Sequence, residues 1–217
     1  MTGASAGVRR IVGFGDRAVL VELSSPPWRS GLATRLAACL PDARVRAGME
    51  SVLVEWREPA ADLLEVTRAA IDSVGLIEWA SPSTSRTITI PVTYDGPDLH
   101  AVAEGLGCAP AEVGVAHRAQ RWIVAMMGFA PGFAYLVPDG PPTVGWDALA
   151  RLDTPRAQVA SGSVAVAAGM SAVYPAAMPG GWLLLGRTTV RLFDAADLAR
   201  PALLGPGDVV VFVEDRP

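Results

Sequence analysis

The chain has 217 residues, is 51% hydrophobic and 18% charged, and carries a net charge of −4. Such a composition supports packed cores rather than disorder, and its acidic balance excludes a nucleic-acid footprint. No run of about 18 uncharged apolar residues occurs and the N-terminal MTGASAGVRR has no apolar centre, so neither a membrane span nor a signal peptide is predicted and the chain reads as cytoplasmic.

The first eighty residues alternate between two rhythms. Arg10–Phe14 and Ala18–Leu23 read as short strands joined by Gly15-Asp16-Arg17. Trp28–Leu40 follows with helical spacing at Leu32, Leu36 and Leu40. Two more strands, Ala43–Ala47 and Ser51–Trp56, flank Gly48-Met49-Glu50. Asp62–Val74 reads as a helix that begins at Asp62 and stops at Gly75. The order ββαββα predicts a small α+β domain, one sheet with both helices on one face. Gly13-x-Gly15 lacks the following helix that a dinucleotide fingerprint needs, so a turn explains it.

Ser81-Pro82-Ser83-Thr84-Ser85 is the predicted link, dividing the chain into domains 1–82 and 83–217. Beyond it, Arg86–Val92 alternates as a strand, and Pro97–Cys108 and Pro110–His117 read as short helices. From Trp122 the pattern is strand and turn. Trp122–Met127, Val159–Ala168, Ser171–Tyr174, Trp182–Leu185, Thr189–Phe193 and Val209–Glu214 are the predicted strands. Many short strands punctuated by glycine and proline indicate a closed all-β barrel, since closure removes exposed edges.

The turns of this half hold unusual residues. Gly128–Leu136, GFAPGFAYL, combines loop formers with two of the five phenylalanines. Thr154–Val164, Tyr174-Pro175 and Met178–Thr188 likewise mix glycine or proline with a ring, an arginine or a hydroxyl. On spacing alone Phe129, Phe133 and Trp182 either plug a barrel end or line a pocket. His117 is either a satisfied structural group or a catalyst. Ser163 lacks a nucleophile-elbow context. Two histidines and two distant cysteines, Cys39 and Cys108, offer no zinc ligand set; the cysteines read as buried thiols. The chain contains no lysine, so any anion must meet arginine, backbone N–H groups or hydroxyls.

GFAPGFAYL, then TPR with GSV, then VYP, PGGW and GRT, in that order, resemble the family that comprises allophanate hydrolase subunit 1, the B-type subunit of 5-oxoprolinase (PxpB) and KipI. GDRAVLVEL, GMESVLVEW and IPVTYDGPDL extend the resemblance over nearly the whole chain. It implies an N-terminal ββαββα domain and a cyclophilin-like β-barrel. It further implies a cytoplasmic, non-autonomous enzyme subunit that works with a homologous second subunit, the allophanate hydrolase subunit 2 or PxpC type, and a LamB/YcsF-type PxpA-like protein. Together these would open 5-oxo-L-proline or a similar small lactam or amide to glutamate using ATP with magnesium, held by this chain or shared with the second subunit. No biotin is expected on this chain. A KipI-like inhibitor of a sensor histidine kinase is the alternative.

By motif matching, the resemblance implies catalytic roles for His117, Arg156 and Ser163. It implies substrate contacts from Phe129, Pro131, Gly132, Phe133, Tyr135, Tyr174, Pro179, Gly180, Gly181 and Trp182, with the aromatic turn as a pocket wall at the subunit interface. Departures from the family pattern lie at Val159-Ala160-Ser161, at Met170 and Ser171 where the family carries glutamine and threonine, and at Met178. Losing the glutamine amide removes a donor and an acceptor together, which points to a different substrate or to a diverged paralogue.

Overall fold

The computed structural model describes residues 7–24, 31–74 and 86–215. The chain forms two compact units, Met1–Ser85 and Arg86–Pro217. The expected boundary at 82/83, the helix stop at Gly75 and the helix start at Trp28 lie outside the described residues.

In the first unit the described elements run β1 (Val8–Gly13), β2 (Ala18–Leu23), α1 (Leu32–Cys39), β3 (Ala43–Ala47), β4 (Ser51–Trp56) and α2 (Leu63–Val74). The strands form an antiparallel sheet in the order β1-β2-β4-β3. Val19, Val21 and Leu23 of β2 alternate into one face with Val52 and Val54 of β4. Leu32 and Leu36 of α1 and Ala70 and Ile71 of α2 cover that face. Cys39 is exposed and Cys108 half-buried, so the expectation of two buried thiols is corrected. Cys39 is the last residue of α1.

The second unit is mixed rather than all-β. Between β5 (Thr87–Val92) and β6 (Trp122–Met127) lie two helices, α3 (Leu99–Leu106) and α4 (Pro110–Ala119). Gly107, left-handed at φ 67°, ends α3, and Pro110 opens α4. Then come β7 (Ala134–Pro138), a 3₁₀ turn at Trp146–Ala148, β8 (Arg156–Val159), β9 (Ser163–Ala167), β10 (Met170–Val173), β11 (Met178–Gly180), β12 (Leu183–Arg187) and β13 (Val209–Glu214). Seven strands pair in the order β12-β9-β10-β7-β6-β13-β5, while β8 and β11 form a separate two-stranded ribbon.

The seven-stranded sheet curls until its two edges meet. Thr93, just past β5, and Arg187, ending β12, exchange two backbone hydrogen bonds of 2.9 Å. The Gly96 amide donates to Leu185 O at 3.0 Å and the Asp98 amide to Leu184 O at 3.2 Å, extending the seam. Gly96 and Gly186 sit where a Cβ would strike the backbone of Leu184 and of Thr93, so the seam closes only on glycine.

Strand parity then assigns every residue to a face. Ile90, Val92, Val124, Leu136, Val164, Val166, Val173, Leu185 and Phe212 share one cluster inside the curl, capped by Val102 of α3 and Val113 of α4. Ala165, Ala167, Ala172, Tyr174 and Leu184 point the other way, into a second cluster with Phe133 and Trp182. Strand β9 is therefore buried on both faces. That is why Val159–Ala168 read as one apolar strand; Gly162, at φ 81°, breaks it. The predicted strand Thr189–Phe193 is absent apart from an isolated bridge from Phe193 to Ala202. Its alternation is real, with Leu192 buried and Arg191 exposed, but no neighbouring strand supplies a ladder.

Candidate functional site: an aromatic cleft on the outer sheet face

The loop entering β7 accounts for the mixed character of GFAPGFAYL. It turns tightly, with the Gly128 amide donating to Phe133 O at 3.2 Å and the Phe133 amide to Ala130 O at 3.0 Å. Gly132 takes φ 80° against Phe193 and Pro175. Phe129 takes φ 68°, a left-handed backbone that costs a non-glycine residue on the order of 1 kcal/mol. The strain presents the Phe129 ring to solvent at 63% exposure, edge-on to the buried Phe133 ring 5.2 Å away. Phe133 in turn stands edge-on to Tyr135, Tyr174 and Trp182, at 5.1, 5.5 and 6.0 Å between centroids.

These rings line a cleft of about 280 Å³ together with Arg151, Leu152, Pro155, Pro179, Gly180 and Gly181. The Gly181 carbonyl accepts from the Leu152 amide at 2.7 Å, tying the two walls together. Gly180 passes so close to the Tyr174 hydroxyl that any Cβ would displace it. Burial holds the Tyr174 hydroxyl above its ordinary pKa; a backbone hydrogen bond from Trp182 and the charges of Arg156 and Arg151 oppose the shift. The group therefore stays protonated at neutral pH and can donate to a carbonyl oxygen. Met170 and Met178, two of the departures from the family pattern, pack against the apolar cluster beneath the cleft.

The cleft gathers Phe129, Phe133, Tyr135, Tyr174, Pro179, Gly180, Gly181 and Trp182 from segments spread over fifty residues of sequence. Pro131 and Gly132 shape the entering loop but do not line it. Nor do the three residues expected to act catalytically. Ser163 begins β9, opposite Arg187, and is engaged through its backbone with Ala160 and Tyr174.

Arg156, on β8, is already spoken for. Its Nη2 donates to both Asp98 carboxylate oxygens at 2.7 and 2.8 Å, and its Nη1 to Trp182 O at 3.3 Å. Asp98 also accepts the Leu184 amide at 2.7 Å. The pair ties the β8–β11 ribbon to the barrel seam and turns the guanidinium toward protein partners. Arg156→Ala is expected to destabilise the unit by about 1–2 kcal/mol, allowing for partial exposure, through lost anchoring. A double-mutant cycle with Asp98→Ala checks this; a coupling near zero would contradict the brace.

His117, in the last turn of α4, lies on the inner face. Its Nδ1 is 2.9 Å from the Tyr94 hydroxyl and its Nε2 2.9 Å from Ser171 Oγ. Gly114 of α4 lets the Tyr94 ring approach the helix. Trp122, Trp146 and Phe212 pack around the imidazole. Burial first, and the Arg118 charge second, push its pKa down to about 3. The departure at Ser171 belongs to this interior contact and not to the cleft.

Sequence patterning gives no hint of Arg151. Its guanidinium lies 5.8 Å from the Trp182 ring centroid, at the wall of the cleft, and has no acidic partner among the described residues. The one signal for it is a second arginine five residues before Arg156, in Arg151-Leu152-Asp153-Thr154-Pro155-Arg156.

Comparison with known proteins fits this geometry into a family. Residues 9–204 match the carboxyltransferase domain, subdomain C and D. The chain is 35% identical to the B-type subunit of 5-oxoprolinase from Escherichia coli O157:H7, over 94% of each chain. The chain belongs to the carboxyltransferase-domain family that includes this 5-oxoprolinase component. Among solved structures, TTHA0988 superposes with a TM-score of 0.72 at 30% identity, covering 93% of this chain; the chain spans 40% of that longer protein. The urea amidolyase of Kluyveromyces lactis shares the fold, with a TM-score of 0.73 at 19% identity, over 99% of this chain and 15% of its own. No described helix is long and apolar enough to cross a membrane.

Proposed function

We propose that this member of the family is the B-type subunit of a 5-oxoprolinase-type complex, and that the aromatic cleft receives the small lactam or amide. The convergence of eight motif residues on one cleft carries the reading. Near-full-length identity to a protein of that name supports it. In this reading ring faces hold the flat ring of the substrate, and the Tyr174 hydroxyl donates to the carbonyl oxygen whose carbon is attacked. Phe129 closes the mouth. A homologous second subunit covers the exposed Phe129 side, and a LamB/YcsF-type protein completes the hydrolysis.

ATP does not fit this cleft. One uncompensated guanidinium in about 280 Å³ is too little positive charge for a triphosphate, and the chain has no lysine to add. We therefore assign nucleotide binding to the second subunit. The kinase-inhibitor alternative has no observation of its own in this geometry.

The test is a reconstitution of this chain with its homologous second subunit and the LamB/YcsF-type protein, supplied with ATP and 5-oxoproline, reading glutamate. Glutamate is expected only with all three proteins. In that complex Tyr174→Phe, which deletes one hydroxyl, should lower kcat/KM about tenfold, and Phe129→Ala should raise KM. Absence of glutamate from an assembled complex, or full activity of Tyr174→Phe, defeats the proposal.

A further inference from the structure

The charges around the cleft are one-sided. Among the described residues no aspartate or glutamate lines it. Asp98, at the ribbon, is consumed by Arg156 and the Leu184 amide. Arg151 is left as the one charged side chain in the described lining, against the Trp182 face. A planar guanidinium over an indole keeps its outward N–H edge available, and that edge suits a carboxylate. Arg151 and Tyr174 line the same cleft.

We infer that the cleft selects monoanionic carboxylates whose nitrogen is uncharged, such as lactam and N-acyl amino acids, with Arg151 gripping the carboxylate, and that it rejects zwitterionic amino acids. The inference rests on the proposed function in placing the substrate here, and it supplies the determinant of specificity. A neutral amide N–H sits among rings at little cost, whereas an ammonium would enter without a carboxylate partner. Ring opening converts the one into the other. Hydrolysis of a lactam acid by water yields an ammonium and a second carboxylate together, and the ammonium finds no acidic side chain in the described lining of the cleft. Selectivity of this kind arises from an unpaired charge set against the wrong ligand.

The experiment titrates the full-length ¹⁵N-labelled chain with four small molecules and follows amide shifts. They are 5-oxoproline, its neutral primary amide, proline as the zwitterion, and 2-furoate as a flat carboxylate without a lactam. Wild type is expected to bind 5-oxoproline and 2-furoate about tenfold more tightly than the neutral amide or proline. Arg151→Gln should abolish that preference and leave the weak affinity for the neutral amide within about twofold. Arg156→Gln, which breaks the brace to Asp98, should retain the preference. If Arg151→Gln keeps it, or if wild type binds proline as well as 5-oxoproline, the inference is overturned. If 2-furoate shows the Arg151-dependent preference while 5-oxoproline does not bind, the carboxylate grip stands and the 5-oxoproline reading falls. If no carboxylate is preferred, Arg151 has no such role, whatever the reconstituted complex turns over.

Discussion

His117→Phe is expected to flatten the acid limb of stability while lowering stability at pH 8. The imidazole is fully buried, with its pKa pushed down to about 3 by burial and by Arg118. In the unfolded chain it titrates at its ordinary value of 6.5. Between these values the unfolded state binds a proton that the folded state refuses, so unfolding free energy falls as pH drops from about 6.5 toward 3. The slope from this residue reaches about 1.4 kcal/mol per pH unit, and it vanishes above 6.5. Phenylalanine removes the titration but strands the Tyr94 hydroxyl and Ser171 Oγ, a cost of roughly 2–5 kcal/mol at pH 8. Urea unfolding of both proteins at pH 8, 6, 5 and 4 measures it. The gap between them should narrow steadily below pH 6.5; parallel curves would show that His117 titrates alike in the folded and unfolded chain. His117 itself should contribute no inflection to activity near pH 6.5, because its nitrogen lone pair is committed inside the barrel.

Gly96→Ala and Gly186→Ala should each cost roughly 2–4 kcal/mol, with the loss concentrated in the second unit. Both glycines face backbone across the seam, which cannot yield as a flexible side chain would. Accommodating a methyl group separates Thr93 from Arg187 and frees the two edge strands of the sheet. Open edges invite association between chains, so the variants should also form aggregates on mild heating. Gly145→Ala is the matched control: the nearest atom to its added Cβ is 3.9 Å away, and its stability should change by less than about 0.5 kcal/mol. Native-state hydrogen exchange at Thr93 and Arg187 locates the damage. Equal protection in Gly96→Ala and wild type would remove the steric account of closure.

The cleft depends on the same seam. Asp98 caps no backbone group of α3 with its side chain; it reaches instead to Leu184 and Arg156. Closure of the barrel, anchoring of the ribbon and placement of Trp182 are therefore one connected set of contacts. A change at the seam should reach the rings of the cleft without touching any of them.

Periodicity makes many elements legible. Strands β2, β3, β4 and β13 match the predicted ranges because alternation and turn residues bound them on both sides. Helix α1 spans Leu32–Cys39, and the predicted start at Trp28 lies outside the described residues. Strands β7 and β11 escape periodicity since Pro138, Pro179 and Gly180 disguise them as turns. The motif residues of the cleft are legible as a group, and eight of the ten expected substrate contacts line it. Their partners are not: nothing in the local pattern says that Asp98 will neutralise Arg156, fifty-eight positions away.

The amino-acid order by itself determined the kinship, the two-part organisation, the absence of any lysine chemistry and the aromatic character of the turns. These are local or compositional properties that survive without coordinates. Only the tertiary structure decided which charge is free and which face each polar group occupies. Successive strand residues point to opposite sides, so His117 meets Ser171 inside the barrel while Tyr174, three positions on, opens to the cleft. Arginine availability is likewise set by whichever carboxylate folding brings near. Arg156 is paired with Asp98, whereas Arg151 has no acidic partner among the described residues and lies against the Trp182 ring.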